Sequence, residues 1–177
     1  MTTIRLDAVI NRVDVDRLMT AVEPRVVLKL IGQQFIHFIG KSFETRGRGG
    51  WRPLAVSTLA LRVRGGDVPL QDTGKYRQSF VTATDDSTYV EAGTSLKTAT
   101  GVPLGKVHES GTGPYTIQVK QARMLAAKTR AGTWMIFGRK IEHPGIPARP
   151  VLPTLSQAEA LLKPALEEML IMARDGK

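Results

Sequence analysis

Between Arg25 and Phe43 the residues Val27, Leu30, Ile31, Phe35, Phe38 and Ser42 return at steps of three and four, with polar side chains between them. That period places them on one side of an amphipathic helix, and Pro24 suits its first turn, where a missing N–H costs nothing. Gly32 and Gly40 interrupt the run. Each weakens a helix by about 1 kcal/mol relative to Ala, so close approach of a neighbouring helix is expected at both. A second stripe closes the chain: Leu161, Leu162, Ala165, Leu166, Met169, Leu170 and Ala173 predict a helix over 155–174. Ser156-Gln157-Ala158-Glu159 reads as its capping box, and Pro164 must kink or restart it.

Other segments carry a period of two. Ile4, Leu6 and Ala8 predict a short strand, and Asp14 or Asp16 then caps a first helix with Leu18, Met19 and Val22 on its apolar side. Two strands flank a turn at Asp85-Asp86, one from Phe80 to Thr82 onward and one through Thr88 to Ala92. Tyr115, Ile117 and Val119 alternate, and Trp134 to Phe137 forms another β-like run after the Ala131-Gly132 turn. The segment 121–128 fits either a helix or a strand paired with 133–141. Short helices are expected from a Ser57 cap through Val63, after Thr73, and from Leu104 to Glu109. Thr45-Arg46-Gly47-Arg48-Gly49-Gly50 has three glycines in four positions, too much backbone freedom for regular structure. The stretches 44–54 and 110–115 are therefore expected as flexible loops.

At 177 residues and 19.4 kDa, the chain is predicted to be a single domain, 1–177, able to bury one core. Its longest apolar run, Val26 to Ile39, is broken by Lys29, Gln33, Gln34 and His37, too polar to span a bilayer. The start, Met1 to Asp7, lacks the basic-then-apolar order of a secretory signal. No cysteine is present, which removes disulfide frameworks, thiolate metal sites and Cys nucleophiles.

The formal charge of +9 is clustered. Arg46, Arg48, Arg52, Arg62 and Arg64 have no acid among them, and neither do Lys120, Arg123, Lys128, Arg130, Arg139 and Lys140. Such blocks point to an acidic partner surface or nucleic acid, against the plainer reading of a solvated face.

Candidate chemistry is sparse. Gly47-Arg48-Gly49-Gly50 lacks the Lys and Ser/Thr that end a phosphate-binding loop. His37, His108 and His143 show no metal-ligand spacing, and His108-Glu109 are helix neighbours that do not face each other. Ser110-Gly111 is no nucleophile elbow. No catalytic, cofactor or metal residue is assigned. Two patches carry more physical content. In Gly145-Ile146-Pro147-Ala148-Arg149-Pro150, prolines fix an extended path while Arg149 aims its fork of donors, with a carboxylate of the same or a neighbouring subunit as the expected target. Trp51 either anchors its loop to the core, the favoured reading, or serves an interface.

Taken in order, Gly50-Trp51-Arg52-Pro53-Leu54, Asp72 to Ser79, Val107-His108-Glu109-Ser110-Gly111 and Gly145 to Pro150 resemble the virion morphogenesis or tail completion family of tailed phages. The resemblance covers nearly the full chain. It departs at Val151, where such proteins often carry an aromatic residue. It implies a structural component that finishes the tail or its junction with the head, and related neck proteins form rings coaxial with the DNA channel. The expectation is thus an α+β subunit, its long N- and C-terminal helices packed on a small, mostly antiparallel sheet. It would assemble as a homo-oligomeric ring, a hexamer, with neighbouring neck and tail proteins as partners. Arg46, Arg48, Trp51, Arg52 and Arg149 are candidate subunit or partner contacts. Lys120, Arg123, Lys128, Arg130, Arg139 and Lys140 are candidates for the lumen, touching channel DNA non-specifically, or for an acidic partner. The expected place is the virion, after synthesis in the host cytoplasm. A free-standing, sequence-independent nucleic-acid-binding protein is the rival. An enzyme would need a pocket joining His108 or His143 to Glu109 or Glu142.

Overall fold

The computed structural model describes residues 2–3, 20, 22–64, 66–84 and 89–175. The strand expected at Ile4 to Ala8 and the helix capped by Asp14 or Asp16 lie outside the described residues, as do Asp85 and Asp86. The fold is α+β. Two long helices, α1 (Pro24–Glu44) and α5 (Leu155–Arg174), bracket three short ones: α2 (Val56–Leu61), α3 (Lys75–Gln78) and α4 (Leu104–Ser110).

Strands β1 (Thr2–Thr3), β2 (Val81–Thr84) and β3 (Val90–Thr94) form an antiparallel sheet in the order β1-β3-β2. The β2–β3 register runs from Val81 opposite Gly93 to Thr84 opposite Val90. Between α4 and α5 the chain builds a two-tier hairpin. Its base pairs β4 (Tyr115–Gln118) with β7 (Lys140–His143), and its upper tier pairs β5 (Leu125–Lys128) with β6 (Trp134–Gly138). The ambiguous segment 121–128 is thus a strand over its last four residues. Tertiary pairing decides this: Ala126, Ala127 and Lys128 lie opposite Ile136, Met135 and Trp134. At the tip, the Arg130 N–H donates to the Ala60 carbonyl at the end of α2, 3.0 Å away.

Helix α1 buries Val27, Leu28, Ile31, Gly32, Phe35, Ile39, Ser42 and Phe43. The stripe is therefore rotated from the expected one: Leu30 faces solvent and Phe38 is half-buried, while Ile39 and Phe43 complete the inner face. The two glycines separate. A side chain at Gly32 would stand 3.0 Å from Thr82 Cγ2 and 3.1 Å from Val90 Cγ2, so this glycine lets the helix close on the sheet and not, as expected, on another helix. Gly40 has open space around it, and nothing in the structure explains it.

Phe43 is the hub of the core. Trp51, Tyr76 and Phe80 all meet its ring edge-to-face, with centroids 5.8 to 5.9 Å apart, a geometry that adds about 0.5–1.5 kcal/mol per pair beyond burial. Ala92, Val151, Leu152 and the α5 residues Ala158, Leu162 and Leu166 complete this one cluster.

Helix starts differ from the sequence expectation in detail. The capping box of α5 is Thr154 with Gln157, not Ser156 with Glu159: the Gln157 N–H donates to Thr154 Oγ1 and the Thr154 N–H to Gln157 Oε1. Ser57 lies inside α2, whose N-cap is Ala55. Gly74, at φ 76°, is the N-cap of α3, and Thr73 Oγ1 accepts the Lys75 N–H at 3.4 Å. Helix α5 runs unbroken through Pro164.

Candidate functional site

The Arg/Gly segment after α1 is not the structureless loop its glycines predict. Arg46, Gly47, Arg48 and Gly49 all take positive φ. The Gly47 N–H reaches the Ser42 carbonyl at 2.7 Å, the backward bond of a Schellman helix end with Arg46 in the left-handed position usually given to glycine. Further bonds from Gly49 to Thr45, Gly50 to Gly47 and Trp51 to Arg46 knit the turn. It delivers Trp51 inward, 7% exposed, where the indole N–H donates to the Pro150 carbonyl at 3.1 Å. Gly47 lies beneath the indole so closely that a Cβ would overlap it.

That bond opens a buried junction where all four sequence patches meet. Arg149, 6% exposed, donates its backbone N–H to the His108 carbonyl at 2.6 Å and its Nη2 to the Arg52 carbonyl at 3.1 Å. Glu109 Oε1 accepts the N–H groups of Val151 and Leu152 at 2.8 and 3.2 Å, holding the lead into α5. The His108 ring packs edge-on against Tyr76, centroids 4.9 Å apart. Gly111, at φ 70°, ends α4 where a side chain would collide with the Ile146 carbonyl, 2.6 Å away. Thr112 then bridges to Ile146 through its backbone and its hydroxyl. The expected loop 110–115 is therefore pinned at its start. Both legs of the two-tier hairpin, and the start of α5, spring from this junction.

Burial governs its electrostatics. It pushes the Tyr76 hydroxyl up, helped by the Glu109 charge. It holds the His108 imidazole down at about 4, with Arg149 adding to the effect. The Glu109 carboxyl is raised by burial, against the pull of its two backbone donors, and Arg149 is lowered by the same desolvation. Tyr76 Oη, His108 Nδ1 and Arg149 Nε are buried without a hydrogen-bond partner. Such atoms cost about 1–3 kcal/mol each, so surrounding packing must hold the arrangement.

Two expectations for this region are corrected. Trp51 anchors its loop to the core, as the favoured reading has it, while Arg149, taken as a candidate subunit or partner contact, is buried within the chain. The target of Arg149 is a main-chain carbonyl rather than a carboxylate, because Glu109 is engaged with the α5 lead. Arg46 and Arg48 are exposed and partnered within the chain: Arg46 grips both oxygens of Asp67 at 3.1 and 3.2 Å. Arg48 lies over the Phe38 ring and donates to Gln157 Oε1 at 3.2 Å, touching the cap of α5. The Arg52 side chain is exposed. Sequence reading missed two acids with structural roles. Asp72 accepts the N–H groups of Val63 and Arg64 at 3.0 and 2.8 Å. Glu109 carries a signal that was there to be seen, being the only acid between Glu91 and Glu142.

The basic segment forms a second feature. Lys120, Arg123, Lys128, Arg130, Arg139 and Lys140 are all exposed on the two-tier hairpin. Lys140 pairs with Glu142. Among the described residues, the other five side chains make no ion pair or hydrogen bond.

The pairings an enzyme would use are split. His108 turns to Tyr76 while Glu109 turns to Val151 and Leu152. His143 ends strand β7 rather than lying in a loop; it stacks on Tyr115 at 4.6 Å and accepts the Gly145 N–H on Nδ1. Its neighbour Glu142 bonds Thr116 and Lys140. Among the described residues no cluster of three His, Asp or Glu side chains is placed to hold a metal ion, and no helix is long and apolar enough to cross a membrane. Comparison with protein-family models, with curated proteins and with solved structures finds no match.

Proposed function

We propose that this chain is a structural virion protein that completes a phage tail, or its junction with the head, by forming a ring in the neck. One observation carries the reading. The four patches that bear the resemblance, spread from Gly50 to Pro150, meet at one buried junction, three of them through hydrogen bonds to main chain and the Asp72 to Ser79 patch through the packing of Tyr76 on His108. Residues used this way specify a scaffold, and a scaffold is what a shared assembly role requires. Trp51, Tyr76 and Arg149 are buried there, and Glu109 is bonded to main chain, which is why the reading is structural rather than enzymatic.

The partners on this reading are further copies of the chain, six in the ring, together with neighbouring neck and tail proteins. The hairpin cations then face DNA in the channel or an acidic protein surface, without reading sequence. The same cations favour a second reading, a free-standing nucleic-acid-binding protein, because five of them stand exposed and unpaired on one element.

Light scattering on the purified protein at low and high salt, alone and with isolated phage tails, separates the two. A ring of discrete mass, alone or on tails, is the expected result. A monomer that ignores tails and binds DNA with strong salt dependence would overturn the tail reading in favour of the second.

A further inference from the structure

Two surfaces of this chain are complementary to each other and do not cover each other. On the outer face of the upper hairpin tier, Trp134 and Ile136 are 63% and 64% exposed, although large apolar side chains usually pack inward. Lys128 lies directly opposite Trp134 in the ladder and Arg130 follows at the tip, with no acid anywhere from 120 to 140. On α5 the face turned away from the core carries Glu167 and Glu168 and ends at the C-cap Asp175, around Ile171, which is 53% exposed; Lys163 pairs with Glu167 at 3.9 Å and Arg174 with Asp175 at 3.2 Å, which leaves Glu168 as the acid of this face in no ion pair among the described residues. These α5 positions recur at three- and four-residue steps, one continuous stripe.

A five-residue strand spans about 17 Å at its usual rise, and the helix strip from Glu167 to Asp175 about 12 Å. Each strip has an apolar centre; the charges flanking it are all basic on the hairpin, and on the helix Glu167 and Glu168 lie on one side of Ile171 while Asp175 on the other is held by Arg174. Apolar centres with opposite charges around them favour docking and fix its register.

We infer that the outer face of the β5–β6 tier of one copy docks on the outer stripe of α5 of the next copy, Trp134 and Ile136 against Ile171, with Lys128 and Arg130 facing Glu167 and Glu168. The contact joins two different patches, so it is heterologous, and repetition closes a ring or extends a filament. The inference rests on the ring reading above and names the surfaces that make the ring.

The absence of cysteine makes the test clean. Chains carrying Ile136→Cys and Ile171→Cys are prepared separately and together, mixed under assembly conditions with or without tails, and treated with a short bismaleimide. The mixture should give a covalent dimer, the doubly substituted chain a ladder of multiples, and either single variant nothing. In parallel, Lys128→Glu/Arg130→Glu and Glu167→Lys/Glu168→Lys should each weaken association about tenfold or more. Their combination should restore it. Circular dichroism melts confirm that every variant folds.

Self-crosslinking of Ile136→Cys alone would overturn the inference by showing a two-fold contact. A discrete wild-type oligomer that gives no mixed crosslink and ignores both charge reversals would overturn the choice of surfaces and leave the ring standing. A wild-type chain that stays monomeric with and without tails would remove the ring, and this inference with it.

Discussion

Gly47 is asked for two things that other residues cannot supply together. Its φ of 64° lies in the left-handed region, and the Trp51 indole occupies the space a Cβ would need. Gly47→Ala should therefore lower stability by about 1–3 kcal/mol, the range for a strained backbone position, read as a shift of the urea midpoint at constant slope. An unchanged midpoint would mean that the turn reshapes freely. His108 makes a different kind of demand. Burial holds its folded value near 4, below the ordinary 6.5, so between those limits the unfolded chain binds the extra proton and stability rises with pH. The 2.5-unit gap caps this at about 3 kcal/mol, and partial exposure of the ring trims it to roughly 1–2 kcal/mol. Glu109, raised by burial, works the other way: its contribution is present at low pH and lost as pH climbs through its folded value. Melts of wild type and His108→Gln from pH 4 to 7 separate them. The variant should lose the rise between 4 and 6.5 and keep only the decline from Glu109. A variant curve that runs parallel to wild type between 4 and 6.5 would show that the imidazole contributes no pH dependence there.

Helix α5 shows what an element can absorb. Pro164 is exposed in its interior, where it removes one backbone bond and crowds the preceding turn. No packing is lost by removing it, so Pro164→Ala should raise stability by about 1–3 kcal/mol and sharpen thermal unfolding. A loss would show that the fixed backbone of Pro164 stabilises the helix. The long elements legible in the sequence, α1 and α5, are those whose period is reinforced by tertiary burial; the β2–β3 strands and the runs at β4 and β6 were legible from alternation and turn residues, whereas β7 and its pairing with β4 were not. What escaped were choices made at the ends. Thr154 rather than Ser156 caps α5 because Gln157 can reach back to Thr154, whose backbone enters extended at ψ 168°. Leu125 to Lys128 became a strand because β6 lay alongside to pair with it. Arg46 occupies a left-handed position that composition assigns to glycine, and its Asp67 partner lies 21 residues away. The junction was legible as separate patches and illegible as a site. Nothing in the sequence says that the carbonyls of Arg52, His108 and Pro150 would be the acceptors that unite them.

At the scale of the whole molecule, charge is divided by element. The upper tier of the hairpin carries cations without acids, while the outer face of α5 carries Glu167, Glu168 and Asp175 beside Lys163 and Arg174. Association between such faces should weaken as salt screens it, since the Debye length falls from about 10 Å at 0.1 M to about 3 Å at 1 M. The apolar centres should keep part of the contact at high salt. Both faces also leave the same buried junction, the hairpin through Gly111 and Gly145 and α5 through the Glu109-held segment. On the ring reading, the angle between the faces within one subunit decides how many subunits complete a circle: 60° of turn per copy gives six. Arg149 then acts as the set-square of the particle. Arg149→Met, which removes the strut to the Arg52 carbonyl and keeps an apolar stem, should yield rings of several sizes by native mass spectrometry where the parent yields one. A single unaltered size would place the angle elsewhere. If that ring is the proposed phage neck, it has one diameter to match, so a slackened corner in each subunit would surface as a misfit of the whole particle.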